Sequence, residues 1–211
     1  AFGSLDNIIA ILISWSPLLL TTAGVLITFS AGLWNIGVEG QMAMGAIFTT
    51  GVMLQLQDTS LPPALIIILG ILAGIVGGMI WAGLAGALRI FGGVNEIFGG
   101  LGLNFVATAL TIYLVFGPWK RPGVASMSGT KPFERDLWLP TLPGTDLSLW
   151  SLVISILVIV GVIILLRGTH FGLRLKAVGK NPRAAFLMGV PTWQYSMVAF
   201  LLCGLLAGLA G

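Results

Sequence analysis

The sequence predicts an all-α fold: a polytopic transmembrane helix bundle with about six spans. Three observations lead there. Of 211 residues, 57% are hydrophobic and only 8% are charged, against about 25% charged in a soluble domain. Apolar runs of about 20 residues, the length that crosses a bilayer, recur along the chain. Thirty residues are Gly, which lets helices approach closely in lipid. Ten Lys/Arg and seven Asp/Glu cannot cover a water-soluble globule of this size without leaving large apolar patches. A soluble enzyme and a nucleic-acid-binding domain are thereby excluded. The mean hydropathy of +1.04 excludes disorder as well.

The spans read in order as 7–29, 36–56, 62–88, 97–117, 149–166 and 193–211. The third, at about 40 Å of helix, exceeds a hydrocarbon core of ~30 Å and is expected to tilt or project. The segment 167–191 holds Arg167, Arg174, Lys176, Lys180 and Arg183 with no acid, so the positive-inside rule makes it cytoplasmic. Counting back, 118–148 is external, the short turn from Arg89 to Glu96 is inside, and 57–61 is outside. The external loop carries five Pro, and its Trp119, Phe133, Leu137, Trp138, Leu139 and Leu142 suit the membrane interface. No soluble domain is visible, and 1–211 reads as one transmembrane domain. Residues 1–6 lack an initiator Met, a basic flank and a signal-peptide pattern, and the chain stops within an apolar run. Both ends are expected to be cuts in a longer protein.

Between the first two spans, residues 30–41 hold Gly32, Asn35, Gly37, Glu39, Gly40 and Gln41 without a Lys or Arg. Two readings stand open: a cytoplasmic turn, or an unwound segment inside the membrane, tolerated where it faces protein or a water-filled path. Glu39 at a helix start is favoured by the helix dipole and reads as capping and bracing the loop, with Asn35 and Gln41 nearby as candidate partners. In the third span Gly70, Gly74, Gly78, Ala82 and Gly86 recur every fourth residue and predict a close helix contact. Gly204 and Gly208 repeat the spacing. In the fourth, Asn104, Thr108 and Thr111 share one face. Each Thr can satisfy its hydroxyl on its own backbone, whereas Asn104 needs a partner, either a neighbouring helix or a solute. Asn35, Glu39, Gln41, Asn104, Thr108 and Thr111 are thus the candidate solute path, with Trp34 and Phe105 available for stacking. Asn95 reads as the N-cap of the fourth span.

The single Cys203 and single His170 leave no disulfide and no metal site within the chain. No set of catalytic groups and no cofactor motif is present, including the G-x-x-x-x-G-K-[ST] phosphate loop. The segment 167–191 is the strongest signal. Asn181 reads as an N-cap, Pro182 suits the first helical position, and Gly189 and Pro191 stop a short helix. Small Ala184 and Ala185 with apolar Phe186 and Leu187 offer a soluble partner a compact surface.

Arg183-Ala184-Ala185-x-x-x-Gly189 resembles the "EAA…G" loop of ABC-importer permeases, with Arg where the general pattern has Glu. Asn35-Ile36-Gly37-Val38-Glu39-Gly40-Gln41, and Asn95-Glu96 followed by Leu103-Asn104, are similar to the branch that carries simple sugars and nucleosides. The resemblance runs from about Phe2 to Gly211. It implies a multi-pass permease subunit in the bacterial plasma membrane, in a homodimeric or heterodimeric pair. It also implies two cytoplasmic ABC ATP-binding subunits and an extracytoplasmic solute-binding protein. The short cytoplasmic helix would be the coupling helix, with Gly179, Asn181, Pro182, Arg183, Ala184, Ala185 and Gly189 forming the ATPase-coupling set. The competing reading from the residues is an ion- or proton-coupled secondary transporter, which usually needs charge or broken helices at a midplane site. A membrane-embedded enzyme has no catalytic set to support it.

Overall fold

The computed structural model describes residues 5–121, 123 and 129–211. Part of the reading of the chain's start and of the external loop lies outside those residues. Eight α-helices are present among them: α1 (Leu5–Ser30), α2 (Val38–Leu56), α3 (Pro63–Ile90), α4 (Glu96–Phe116), α5 (Leu149–Gly168), α6 (His170–Lys180), α7 (Pro182–Leu187) and α8 (Thr192–Ala210). There is also one short 3-10 turn, Arg135–Leu137. No strand occurs among the described residues, only an isolated bridge between Lys120 and Thr130.

Five of these helices, α1, α3, α4, α5 and α8, are long and apolar enough to cross a membrane. The sixth expected span is α2. Its 19 residues include Glu39, Gln41 and Gln55, and its neighbours explain why it tolerates them. It packs against α3, α8 and α4, so much of its surface meets protein rather than lipid. The chain at α3 is 28 residues long, about 42 Å of helix, as its sequence predicts.

The small-residue stripe forms the centre of the bundle. Gly70, Gly74, Gly78, Ala82 and Gly86 are all buried. A Cβ on Gly78 would run into the carbonyl of Gly204, and one on Gly208 into the carbonyl of Gly74. Gly45 of α2 meets Gly208 at the same place, its Cβ position 2.6 Å from the Gly208 Cα. Three backbones therefore touch without intervening side chains, which maximises dispersion contact where no hydrophobic force acts between helices. Around this seam, Ala23 and Ile27 of α1, Ala85 of α3, Val162 and Leu166 of α5, and Ala199 and Phe200 of α8 form the main apolar core.

The connections sort into two ends. At one end the turn after α1 meets α6, Gly32 lying against the Gly179 backbone. Arg89, Pro182 and Trp193 border the same cleft. At the other end Lys131 pairs with Asp58 at 2.8 Å, and Leu137 packs on Met53 and Ile66. These are the same two groups of loops that the basic residues separate in the sequence.

Two expectations need correction. Residues 30–41 combine a turn with a non-helical stretch, and the second span starts later than expected. Ala31 and Gly32 form a turn, with Gly32 at φ +74°, and a non-helical stretch then runs back into the bundle until α2 begins at Val38, not at Ile36. The segment 167–191 also holds two helices, not one. Thr169 caps α6, its Oγ1 accepting from the Gly172 N–H at 3.1 Å, and Leu175 and Val178 bury one face.

Candidate functional site

The polar residues of the predicted path fall into three separate settings. The first is the start of α2. Gly37, its N-cap, has no side chain with which to satisfy the free amides of the first turn, and an unpaired N–H is costly in a buried position. The partner comes from α4. Asn104 accepts from the Gly40 N–H through Oδ1 at 2.8 Å and donates through Nδ2 to the Ile36 carbonyl at 3.1 Å. Both ends of one amide thus hold the junction where the irregular stretch becomes helix. Gly37 and Gly100 permit the approach, a Gly37 Cβ falling 3.1 Å from the Gly100 Cα.

Asn35 and Gln41 are buried beside this junction. They bond each other, Asn35 Nδ2 to Gln41 Oε1 at 3.3 Å and Gln41 Nε2 to Asn35 Oδ1 at 3.2 Å. Asn35 also donates to the Cys203 Sγ of α8 at 3.1 Å. These residues close the loop upon itself. Trp81 of α3 was not singled out by the sequence. Its Nε1 is buried with no partner among the described residues and lies 3.0 Å from where a Gly40 Cβ would sit, with Asn104 Oδ1 2.7 Å from the same point.

The second setting is the outer face of α4. Thr108 donates to the Asn104 carbonyl at 2.9 Å and Thr111 to the Ala107 carbonyl at 2.8 Å, as expected. Thr108 is exposed on that face and Thr111 half-buried. The spacing i, i+4 groups them with Asn104, but only Asn104 turns into the bundle. Phe105 points outward, and Trp34 packs its ring on Phe29 at 5.4 Å. The two aromatics do not converge.

The third setting belongs to Glu39 alone. Asn35 and Gln41 are not its partners, contrary to expectation, because they bond each other. The Glu39 side chain lies in a groove between α1 and α2, with Pro17, Leu18, Thr21, Val38 and Met42.

At the basic end, α7 is built as the sequence predicts. Asn181 Oδ1 accepts from the Ala184 N–H at 3.0 Å, Pro182 takes the first helical position, and Gly189 at φ +82° ends the helix. The Val190 N–H returns to the Ala185 carbonyl at 3.0 Å, the closing bond of a Schellman motif. The coupling set itself divides. Arg183 and Ala184 are exposed, whereas Ala185 is 3% exposed and Gly179 lies against the backbone of Ser30, Ala31 and Gly32. Ala185 and Gly179 therefore face the chain's own bundle. The outward surface is instead Phe186, Leu187 and Met188, at 66%, 85% and 84% exposure. The apolar character of Phe186 and Leu187 was legible, but their direction was not. The cleft behind α7 holds Arg89, whose Nε pairs with Glu96 Oε2 at 3.0 Å. This pair ties the end of α3 to the start of α4, where Asn95 caps the helix by accepting from the Ile97 N–H at 2.9 Å.

The family model for the permease component of branched-chain amino acid transport systems matches residues 7–211. Among curated proteins, the chain is 33% identical to a glucose ABC transporter permease protein of Haloferax volcanii, over 95% of this chain and 54% of that protein. It is 27% identical to a nucleoside ABC transporter permease protein of Lactococcus lactis, over 100% of this chain and 59% of that protein. It is 26% identical to a guanosine ABC transporter permease protein of Bacillus subtilis, over 96% and 64% respectively. The chain thus spans a little over half the length of these relatives. No solved structure gives a significant match.

Proposed function

We propose that this chain, which belongs to the family of branched-chain amino acid transport system permease components, is a membrane-spanning subunit of an ATP-driven importer for nucleosides or simple sugars. The observation that carries the reading is α7. It is a capped helix of six residues, set between α6 and α8 at the basic end, and its exposed Phe186, Leu187 and Met188 project away from the bundle. Such an edge suits insertion into a cleft of a cytoplasmic partner. That partner is an ABC ATP-binding subunit, and α7 passes its closure to the spans through the Gly179–Gly32 backbone contact and the Arg89–Glu96 pair.

The rest of the assembly follows from this role. Two permease subunits, identical or different, pair in the plasma membrane. Two ATP-binding subunits supply hydrolysis, and an extracytoplasmic binding protein delivers the solute. The chain acts in transport, and ATP chemistry belongs to its partner. Relatives named for glucose, nucleoside and guanosine transport support the solute class. A secondary transporter is the weaker reading, because Asn35, Gln41 and Asn104 spend their side-chain amides on one another and on the backbone at the start of α2.

The test is uptake of labelled guanosine and glucose into vesicles holding the full-length permease with its ATP-binding and solute-binding partners. Uptake is expected with ATP and absent without it. Uptake that follows a proton or sodium gradient and ignores ATP overturns the reading.

A further inference from the structure

We infer that Glu39 contacts the solute: its carboxylate, in the groove between α1 and α2, accepts hydrogen bonds from ring hydroxyls. The inference rests on the importer reading and names the chemistry of its path.

Depth is the first observation. The groove includes Pro17, Leu18 and Thr21, in the middle of the 26 residues of α1. Thr21 precedes the end of α1 at Ser30 by about 13 Å of helix. Glu39 therefore sits well inside the membrane, yet its side chain is exposed on the surface of this bundle. It forms no hydrogen bond or ion pair with any described residue. A carboxylate facing lipid at that depth is strongly disfavoured, so the groove calls for a polar occupant.

Charge narrows the occupant. Every Lys and Arg of the sequence lies at 89 or beyond, at a helix end or in a connection. No cation among these 211 residues therefore stands at the level of Glu39. Among the described residues no other acid and no His lies within the spans at that depth to serve as the next station of a proton relay. The lining suits a small polyhydroxylated ring. The groove is about 330 Å³, within the range of small-molecule sites. Pro17, Leu18, Val38 and Met42 offer apolar walls, and the Thr21 hydroxyl is committed to the Pro17 carbonyl at 2.8 Å. Glu39 is the one charged group. A carboxylate accepts from two adjacent hydroxyls at once, the feature that a ribose and a hexose share.

The experiment uses the full-length permease with its partners in proteoliposomes. In a Cys203→Ser background, Glu39→Cys is exposed to a small charged methanethiosulfonate reagent, with and without millimolar guanosine or glucose. Labelling that either solute suppresses is expected. No labelling, or labelling that neither solute slows, overturns the inference. Uptake by wild type and Glu39→Gln is then compared for guanosine against 2′,3′-dideoxyguanosine, and for glucose against 2-deoxyglucose. The binding protein's own preference cancels between the two variants. Loss of the charged acceptor is expected to shrink the preference for the hydroxylated solute about tenfold. An unchanged preference sinks the idea. Absence of ATP-driven uptake by the wild type counts against the proposed function alone, because labelling and protection are read without turnover.

Discussion

Asn104 caps a helix to which it does not belong: its Oδ1 lies 2.8 Å from the Gly40 N–H of α2, while its own residue sits in α4. Helices usually begin with a capping side chain of their own, as α4 does with Asn95 and α7 with Asn181. Gly37 offers none, so the start of α2 depends on another element. That dependence couples α2, the irregular stretch before it and α4 through a single amide.

Asn104→Leu should therefore destabilise the assembled permease by about 2–4 kcal/mol, the cost of leaving both the Gly40 N–H and the Ile36 carbonyl unpaired in a buried setting. Ordinary interhelical bonds in membranes are worth only ~0.6 kcal/mol. Thermal unfolding of the purified complex measures the difference. A change well below 1 kcal/mol means that these groups find other partners, and the cross-helix cap is then incidental.

Trp81→Phe is expected to act in the opposite direction. The indole N–H is buried without an acceptor among the described residues, and replacing an unsatisfied donor by an apolar ring is near neutral or stabilising. Melting at or slightly above the wild-type temperature is the expected result. A loss comparable with that of Asn104→Leu implies that the N–H is bonded in the membrane and that the junction has a third tie.

Gly78 and Gly102 form a paired test of the helix seam. A Cβ at Gly78 collides with the Gly204 carbonyl, whereas one at Gly102 meets nothing within 4 Å. Gly78→Ala should cost several kcal/mol, because two backbones must separate along their contact. Gly102→Ala should gain up to about 1 kcal/mol from helix propensity. Equal effects at the two sites, measured by thermal shift, would refute a seam held by backbone contact.

Periodicity made much of this legible. The stripe from Gly70 to Gly86, the caps at Asn95 and Asn181, and the stop at Gly189 all depend on neighbours within a few residues, and local sequence carries such information. What escaped depends on pairs far apart in the chain. Nothing near Gly40 announces Asn104, 64 residues away, nor does Asn35 announce Cys203, 168 residues away. The spacing puts Asn104, Thr108 and Thr111 on one side of α4, but a helical stripe is broad enough to place one member inside and another outside. α6 was missed for a different reason. Its Thr169 cap and the Leu175–Val178 pair are local signals, but they lie in the same stretch as the Arg and Lys run that marks the segment as a loop.

The last prediction separates the two faces of α7. Ala185 is packed against the bundle, so Ala185→Trp should damage the permease itself, lowering the yield of folded protein before any partner is involved. Leu187 and Met188 project outward, and a charge there costs the free permease little. Leu187→Asp should leave insertion and melting temperature unchanged. Under the coupling role, it should abolish retention of the ATP-binding subunit in a pull-down, or retain it without transport, since a carboxylate would enter an apolar contact without a partner. The Asn181 cap gives an internal control. Asn181→Ala removes the bond to the Ala184 N–H and should weaken α7 by about 1 kcal/mol, reducing partner affinity by several-fold while leaving the contact surface chemically intact. If Leu187→Asp binds its partner and drives ATP-dependent uptake at wild-type levels, the outward edge of α7 is not the coupling surface, and the contact must lie on the basic face of α6.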